Sequence, residues 1–383
     1  MHISFLTPEY PHEKVAHAAG IGTSIKNLVV ALVAQNIQVS VFVYGQNHNE
    51  VFLENSIKFH LIEHKKYQFG TWFFYRNYLQ NYINSYIKKD KIDCIEAPDW
   101  TGITAFMTFK IPLIIRFHGS DAYFCRLEKR KQKLKNYWFE KLALNQATAY
   151  IAPTAFAGNL TQEIFNLDSK KISVIHYGID LEFFKNPNPE MYQKNLILYI
   201  GTIIRKKGVL ELPEIFRLVL EKNPDAELVL IGGDAPDITT NSKSTWEMFQ
   251  DLCTSKNLKN KTYYKKIDYF ALQKKIMNAN VCVFPTFAET LGMVTIEAMA
   301  MKKPVITSTM GWTKELIIDN ESGFLVNPKK HEAFANEIIK ILENDYLMQN
   351  IGNNARNRVE NLFDIKKIVN QNIDFYQSKI SKQ

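Results

Sequence analysis

An α/β fold of two doubly wound, Rossmann-like parallel-sheet domains facing across a cleft is predicted by three observations: short apolar runs alternate with helical patterns, the rhythm breaks once at a polar, proline-bearing stretch, and it then restarts. At 383 residues the chain exceeds a typical single domain and suffices for two, each with its own core. In the first half, residues 3–6 read as a buried strand, 24–34 as an amphipathic helix and 39–43 as the next strand, the β-α-β unit of a parallel sheet. Further strands are expected at 94–97, 113–117, 150–152 and 172–175, with helices at 73–88 and 127–147. The Lys185-Asn186-Pro187-Asn188-Pro189 stretch marks a linker over 185–195, so the first domain is expected over 1–184. The pattern resumes with strands at 196–200, 228–231, 262–264, 281–284 and 304–307 and a helix at 210–222, placing the second domain at 196–362. An amphipathic helix at 365–379 is expected to bring residues 363–383 back onto the first domain.

Composition narrows the setting. A 46% hydrophobic and 22% charged chain is that of an ordinary globular protein. Cys94, Cys125, Cys253 and Cys282 are widely spaced and show no C-x-x-C pairing, so neither a zinc site nor a disulfide framework is indicated and a reducing cytosol is expected. The opening Met1-His2-Ile3-Ser4-Phe5-Leu6 reads as a buried strand rather than a signal peptide, so a cytoplasmic location is expected. Without an uninterrupted apolar stretch of about 18 residues, any membrane contact must be peripheral. The net charge of +8 favours anionic partners, whether nucleotide phosphates, acidic lipid heads or nucleic acid, and by itself also serves solubility. No recognised nucleic-acid module accompanies it, so nucleic acid is not expected as a partner.

The chemistry concentrates in residues 285–299, where a buried strand runs through a loop into a helix. The amides of Gly292, Met293 and Val294, following Leu291, fall at the helix amino terminus, where unpaired donors and the helix dipole favour an anion such as a diphosphate. Glu289 and Glu297 stand eight positions apart, about 12 Å if both lay on one helix at ~1.5 Å per residue. A carboxylate accepts two hydrogen bonds from vicinal hydroxyls, so Glu297 suits a ribose and Glu289 the hydroxyls of a hexose. Taken alone, the same acids also read as a solvated loop residue and a helix-surface residue.

With Glu297-Ala298-Met299-Ala300-Met301-Lys302-Lys303-Pro304-Val305-Ile306, then Gly311, Glu315 and Gly323-Phe324-Leu325-Val326, the stretch resembles the E-x7-E region of the retaining GT-B glycosyltransferases of family 4. The resemblance covers nearly the whole chain, with its specificity in the second half. It implies a GT-B fold and transfer of a hexose from a nucleotide-diphosphate sugar, UDP-sugar first and GDP-sugar as the alternative, to a glycan or lipid-linked acceptor in bacterial cell-surface polysaccharide synthesis. No metal and no cofactor are expected. Gly201-Thr202-Ile203-Ile204-Arg205-Lys206-Lys207-Gly208 resembles the family's diphosphate-neutralising loop, with Lys207 on the lysine position. Thr202 stands where the family has arginine, which leaves Arg205 or Lys206 to supply the second charge. Ala19-Gly20-Ile21-Gly22-Thr23 resembles the family's glycine loop at the donor phosphates, with Ala19 in place of one glycine. It is not G-x-G-x-x-G, which argues against a dinucleotide dehydrogenase. His118, in Arg116-Phe117-His118-Gly119, matches the family's H-G, whose histidine contacts the transferred sugar. His176-Tyr177-Gly178-Ile179-Asp180 resembles the domain-junction hinge, where Asp180 reads as structural.

Two aromatic and basic stretches remain, residues 67–78 and 126–141. They suit an anionic membrane or a lipid-linked acceptor, and equally amphipathic helices with a buried aromatic face. Two competing readings keep the same cleft: a sugar-nucleotide epimerase or phosphorylase, and a non-catalytic protein that binds nucleotide sugar.

Overall fold

The computed structural model describes residues 1–381. It divides into two compact units, Met1–Asp180 with the chain from Asp364, and Leu181–Phe363. Among the described residues no helix is long and apolar enough to cross a membrane.

Among the described residues, the first unit carries an eight-stranded sheet: β1 (His2–Thr7), β2 (Gln38–Gln46), β3 (Glu50–Glu54), β4 (Ile57–Glu63), β5 (Cys94–Pro98), β6 (Leu113–Arg116), β7 (Ala149–Ala152) and β8 (Ile172–Val174). Their spatial order is β3-β4-β2-β1-β5-β6-β7-β8, parallel throughout except that β3 runs against β4. Alternate residues feed opposite faces, as a sheet covered on both sides requires. Ile3, Phe5, Val39, Val41 and Val43 pack on one face with the helices Gly20–Ala34 and Ile365–Ile380. Leu6, Phe42 and Ile95 pack on the other with the helix Thr71–Asp90. The last helix, Ile365–Ile380, is tied in by more than apolar contact. Inside the core Arg116 forms a bidentate pair with Glu96 at 2.7 and 2.9 Å, and Tyr376 donates to the same carboxylate at 2.6 Å while Asn372 accepts from Arg116 at 2.6 Å.

Two expectations need correction in this unit. The helix expected over 127–147 is two helices, Asp121–Leu127 and Leu134–Asn145. Lys129 turns left-handed at φ 53°, and Arg130 folds back to bond Asp121 and Glu128, so the cation-rich run 128–133 leaves the helical path. The β3–β4 hairpin had no place in the strand assignment. Its turn residues Asn55 and Ser56 both have positive φ, the geometry of a tight two-residue connection, but Asn-Ser advertises it far more weakly than Asn-Gly.

The second unit, again among the described residues, carries six parallel strands: β9 (Leu196–Ile200), β10 (Glu227–Ile231), β11 (Lys261–Tyr264), β12 (Val281–Phe284), β13 (Val305–Thr307) and β14 (Phe324–Leu325). Their order is β11-β10-β9-β12-β13-β14. Residues 185–195 belong to this unit. The amphipathic helix Leu212–Lys222 and the helices His331–Leu342 and Asp345–Leu362 close its core around Ile197, Leu228, Val281 and Ile306.

Candidate active site

In the second sheet the strand order reverses between β9 and β12, so the loops leaving their carboxyl ends start side by side, the position at which open α/β sheets bind ligands. The loop after β9 makes a 3-10 turn, Arg205–Lys207, closed by Gly208 at φ 72°. A Cβ on residue 208 would sit 1.7 Å from the carbonyl oxygen of Pro285, so only glycine allows the two loops to touch. The carbonyl of Lys206 then accepts the N–H groups of Phe287 at 2.8 Å and Ala288 at 3.3 Å. With the backbones joined in this way, the Lys207 ammonium reaches the Glu289 carboxylate and pairs with it. Burial alone would raise the Glu289 pKa, but Lys207, joined by the Thr290 N–H and Lys206, outweighs it and holds the carboxyl below its ordinary range. Glu289 is therefore an anion at neutral pH, with about a fifth of its side chain still open to solvent.

Beyond Glu289 the side chain of Leu291 is fully buried, whereas Gly292, Met293 and Val294 remain partly exposed. Gly292, at φ 100°, is the N-cap of the helix Met293–Ala300, and no side chain caps that terminus. Because the helix begins at Met293, Glu289 lies in the loop ahead of it, so the Glu289–Glu297 separation is not the rise of one helix. Glu297, inside the helix, is 4% exposed and accepts a 3.2 Å hydrogen bond from the hydroxyl of Tyr269. Burial pushes its carboxyl up to about 7 against the opposing effect of that bond. Tyr269 opens the helix Tyr269–Asn278 and stacks on Phe183, with centroids 5.3 Å apart and planes at 12°. Neither Tyr269 nor its contact with Glu297 was legible in the sequence, because the two are linked only through the packing of separate helices.

Arg205 lies in the same turn as Lys207 but is committed elsewhere. Its guanidinium forms two 2.8 Å bonds with Asp237, a carboxylate 2% exposed that also accepts from Thr240. Arg205 and Thr240 hold Asp237 far below the usual carboxylate range. Asp237 was not among the sequence candidates. Its loop, residues 232–244, carries no motif that points to Arg205.

In the first unit the order reverses between β1 and β5. The loop after β1 leads into the helix Gly20–Ala34, whose N-cap Ala19 offers no side-chain cap. Gly22 is not open there: its N–H donates to Glu9 Oε1 at 2.8 Å, and a Cβ would press on the Glu9–Tyr10 backbone at 3.0 Å. Gly20 has open space beside it. After β5, Asp99 accepts the N–H groups of His118 at 2.8 Å and Gly119 at 3.3 Å, shaping the turn after β6. Burial pushes Asp99 up to about 7. His118 Nδ1 lies 2.8 Å from the Tyr177 hydroxyl, with the two rings nearly parallel at 12°. Burial and then the nearby Arg116 charge push the imidazole down to about 3, so it is neutral at physiological pH and acts through hydrogen bonding. The second unit thus groups Lys207, Glu289, the Gly292–Val294 amides and Glu297. His118, Gly20 and Gly22 belong to the first.

Two family profiles match the chain in tandem. Glycosyltransferase Family 4 covers residues 18–183 and Glycosyl transferases group 1 covers residues 180–358. The capsular polysaccharide biosynthesis glycosyltransferase CapM of Staphylococcus aureus is 30% identical over 246 residues, which is 59% of this chain and 60% of that protein. Among solved structures, the sucrose-phosphate synthase of Thermosynechococcus elongatus superposes with a TM-score of 0.81 at 22% identity, covering 100% of both chains. HepE of Anabaena, solved in complex with UDP and glucose, superposes with a TM-score of 0.76 at 16% identity, covering 99% of this chain and 100% of that one. The fold of the two sheets is therefore GT-B, and the chain belongs to the group 1 glycosyl transferases, an enzyme that transfers a glycosyl group.

Proposed function

We propose that this enzyme moves a hexose from a nucleotide-diphosphate sugar, UDP-sugar first and GDP-sugar as the alternative, to a glycan or lipid-linked acceptor of bacterial cell-surface polysaccharide, with retention at the anomeric carbon. The observation that carries the reading is the uncapped helix terminus at Gly292–Val294, set at the β9–β12 switch point with Lys207 and Glu289 paired beside it. Unpaired amides, the dipole of the helix and a lysine form a place for a diphosphate. Glu289 then holds sugar hydroxyls and Glu297 the ribose, while Gly20 of the first-unit loop approaches the phosphates and His118 the sugar. Gly22 and Arg205 support these loops, since Glu9 and Asp237 already engage them. HepE, with UDP and glucose bound, and CapM, named for capsule synthesis, support the choice of donor and pathway class.

In the reaction the bond between the anomeric carbon and the diphosphate oxygen breaks as an acceptor oxygen attacks the same face. The acceptor proton passes to the departing phosphate. Lys207 and the helix amides stabilise the growing negative charge, a role for electrostatic preorganisation that needs no divalent cation. Turnover is accordingly expected to survive EDTA.

Calorimetric titration with UDP, GDP and ADP, on the wild type and on Lys207→Ala and Glu297→Ala, tests the reading. Binding of UDP or GDP, at least tenfold weaker in both variants, is expected. If the three nucleotides fail to bind, or bind both variants as tightly as wild type, the donor site is elsewhere and the proposal falls.

A further inference from the structure

The first unit carries an aromatic surface that only Phe139 ties to its core. Tyr67, Phe74, Phe73, Trp72, Phe106 and Phe139 form a continuous ridge of rings with successive centroids 5.6–6.0 Å apart. Trp72, Phe73, Phe74 and Phe106 are each 40% exposed or more, and Phe69 beside them reaches 80%. Single exposed apolar residues are ordinary, but a contiguous aromatic surface on a globular domain marks a docking site. Three separate stretches build it. They are the loop 64–70 with the start of the helix Thr71–Asp90, the segment after β5, and the middle of the helix Leu134–Asn145. Convergence of three segments on one patch is harder to dismiss as the spare face of one amphipathic helix.

Charge identifies the occupant. Residues 64–89, 100–120 and 129–139 contain no aspartate or glutamate, while Lys66, Lys110, Lys131, Lys133 and Lys135 lie within them and are exposed. Lys135 reaches over Phe139, its ammonium 5.6 Å from the ring centre. Tryptophan and phenylalanine on stretches whose charged side chains are cations match the boundary between lipid headgroups and acyl chains, where rings insert and cations meet acidic headgroups. An acidic protein partner would draw on the lysines but would leave so many exposed rings without purpose.

The geometry points to this ridge as a dock for the surface of an anionic lipid bilayer, with Trp72, Phe73, Phe74 and Phe106 as the inserting side chains and the surrounding lysines as the headgroup contacts. Topology adds a consequence. Thr71–Asp90 starts after β4, Trp100–Gly102 lies just after β5, and His118 follows β6, so ridge and histidine share the carboxyl edge of one parallel sheet. A bilayer held at that edge presents a lipid-linked acceptor to the edge that carries His118. That consequence rests on the proposed function, whereas the docking rests on the first unit alone.

Flotation of the full-length chain with vesicles separates the possibilities. With 30 mol% phosphatidylglycerol in phosphatidylcholine the wild type is expected to float, and with phosphatidylcholine alone to float at least tenfold less. Trp72→Ala/Phe73→Ala/Phe74→Ala and Lys66→Gln/Lys133→Gln/Lys135→Gln are each expected to lose at least tenfold in partition, the second reproduced in wild type by high salt. Circular dichroism and UDP titration of both variants are expected to match wild type, which separates this idea from the donor reading. Absence of flotation, or partition indifferent to lipid charge, overturns the proposal. So does a wild-type dimer by light scattering that the aromatic variant dissolves, because the ridge would then be covered by a second copy of the chain.

Discussion

At the residue scale, the proposed donor site depends on one glycine and one buried acid. Gly208 sits at φ 72° with the Pro285 carbonyl in the space a Cβ would fill, so Gly208→Ala must part the loops that hold Lys207 against Glu289. We expect the substitution to cost at least ~1–3 kcal/mol of stability and to reduce turnover more than tenfold, checked by thermal melting and steady-state kinetics. Glu297 makes the site sensitive to pH. Its carboxyl is raised from 4.5 to about 7 by burial, so between those values the folded protein keeps a proton that the unfolded chain has released. Stability attributable to this group is full below pH 4.5 and declines as pH climbs to about 7, a slope that Glu297→Gln is expected to remove from the difference melting curve. In the proposed role the carboxylate is the form that accepts from ribose, so donor KM is expected to fall as pH rises from 6 to 8, while Glu297→Gln shows a flat, elevated KM. Tyr269→Phe removes the hydrogen bond that favours the carboxylate and is expected to move the KM transition to higher pH with kcat little changed. An unaltered profile would show Tyr269 to be packing alone.

At the element scale, the helix Ile365–Ile380 is both apolar cladding and a polar clamp. Ile368, Val369 and Phe375 join the core beside β1 and β2, while Tyr376 and Asn372 complete the buried Arg116–Glu96 pair. Satisfied on every side, such a network is tolerated in the interior, but removing Glu96 leaves the Arg116 charge unpaired and removing the Tyr376 hydroxyl withdraws a donor from Glu96. Tyr376→Phe is expected to lower stability by roughly 1–3 kcal/mol and Glu96→Gln by about 3–5 kcal/mol. Denaturant titration followed by tryptophan fluorescence reads both, and UDP affinity should be unchanged in each. Helix boundaries at this scale follow local chemistry where it is strong. The helices starting at Asp121, Ala155, Thr245 and Tyr269 are each capped by a serine, threonine or aspartate side chain one residue earlier.

At the scale of the whole molecule, two units with separate cores divide the chain unequally. The first closes only when the chain from Asp364 returns to it. Ending the chain at Phe363 is therefore expected to unfold the first unit, exposing Ile3, Phe5 and Val41, and to leave Leu181–Phe363 folded. Scanning calorimetry should then show one surviving transition, still raised by UDP if the donor site lies where proposed. Loss of all cooperative unfolding would mean that the units do not fold separately.

Local pattern alone determined much of this protein. The apolar runs of β1, β5, β9 and β12, the period of the helix Ile365–Ile380 and the strand–loop–helix passage through Glu289 to Glu297 were legible because each rests on the order of neighbouring residues. The β3–β4 hairpin and the break at 128–133 were not, since an Asn-Ser turn and a left-handed lysine leave weak marks in a sequence. Least legible were the pairings: Arg205 with Asp237, Gly22 with Glu9, Glu297 with Tyr269 and the aromatic ridge assembled from three stretches. Side-chain partners separated by tens of residues are chosen by how strands order themselves in a sheet and how helices pack on it. Long-range contacts of that kind carry no local periodicity, so only the tertiary structure decides which charges meet and which rings stay in water.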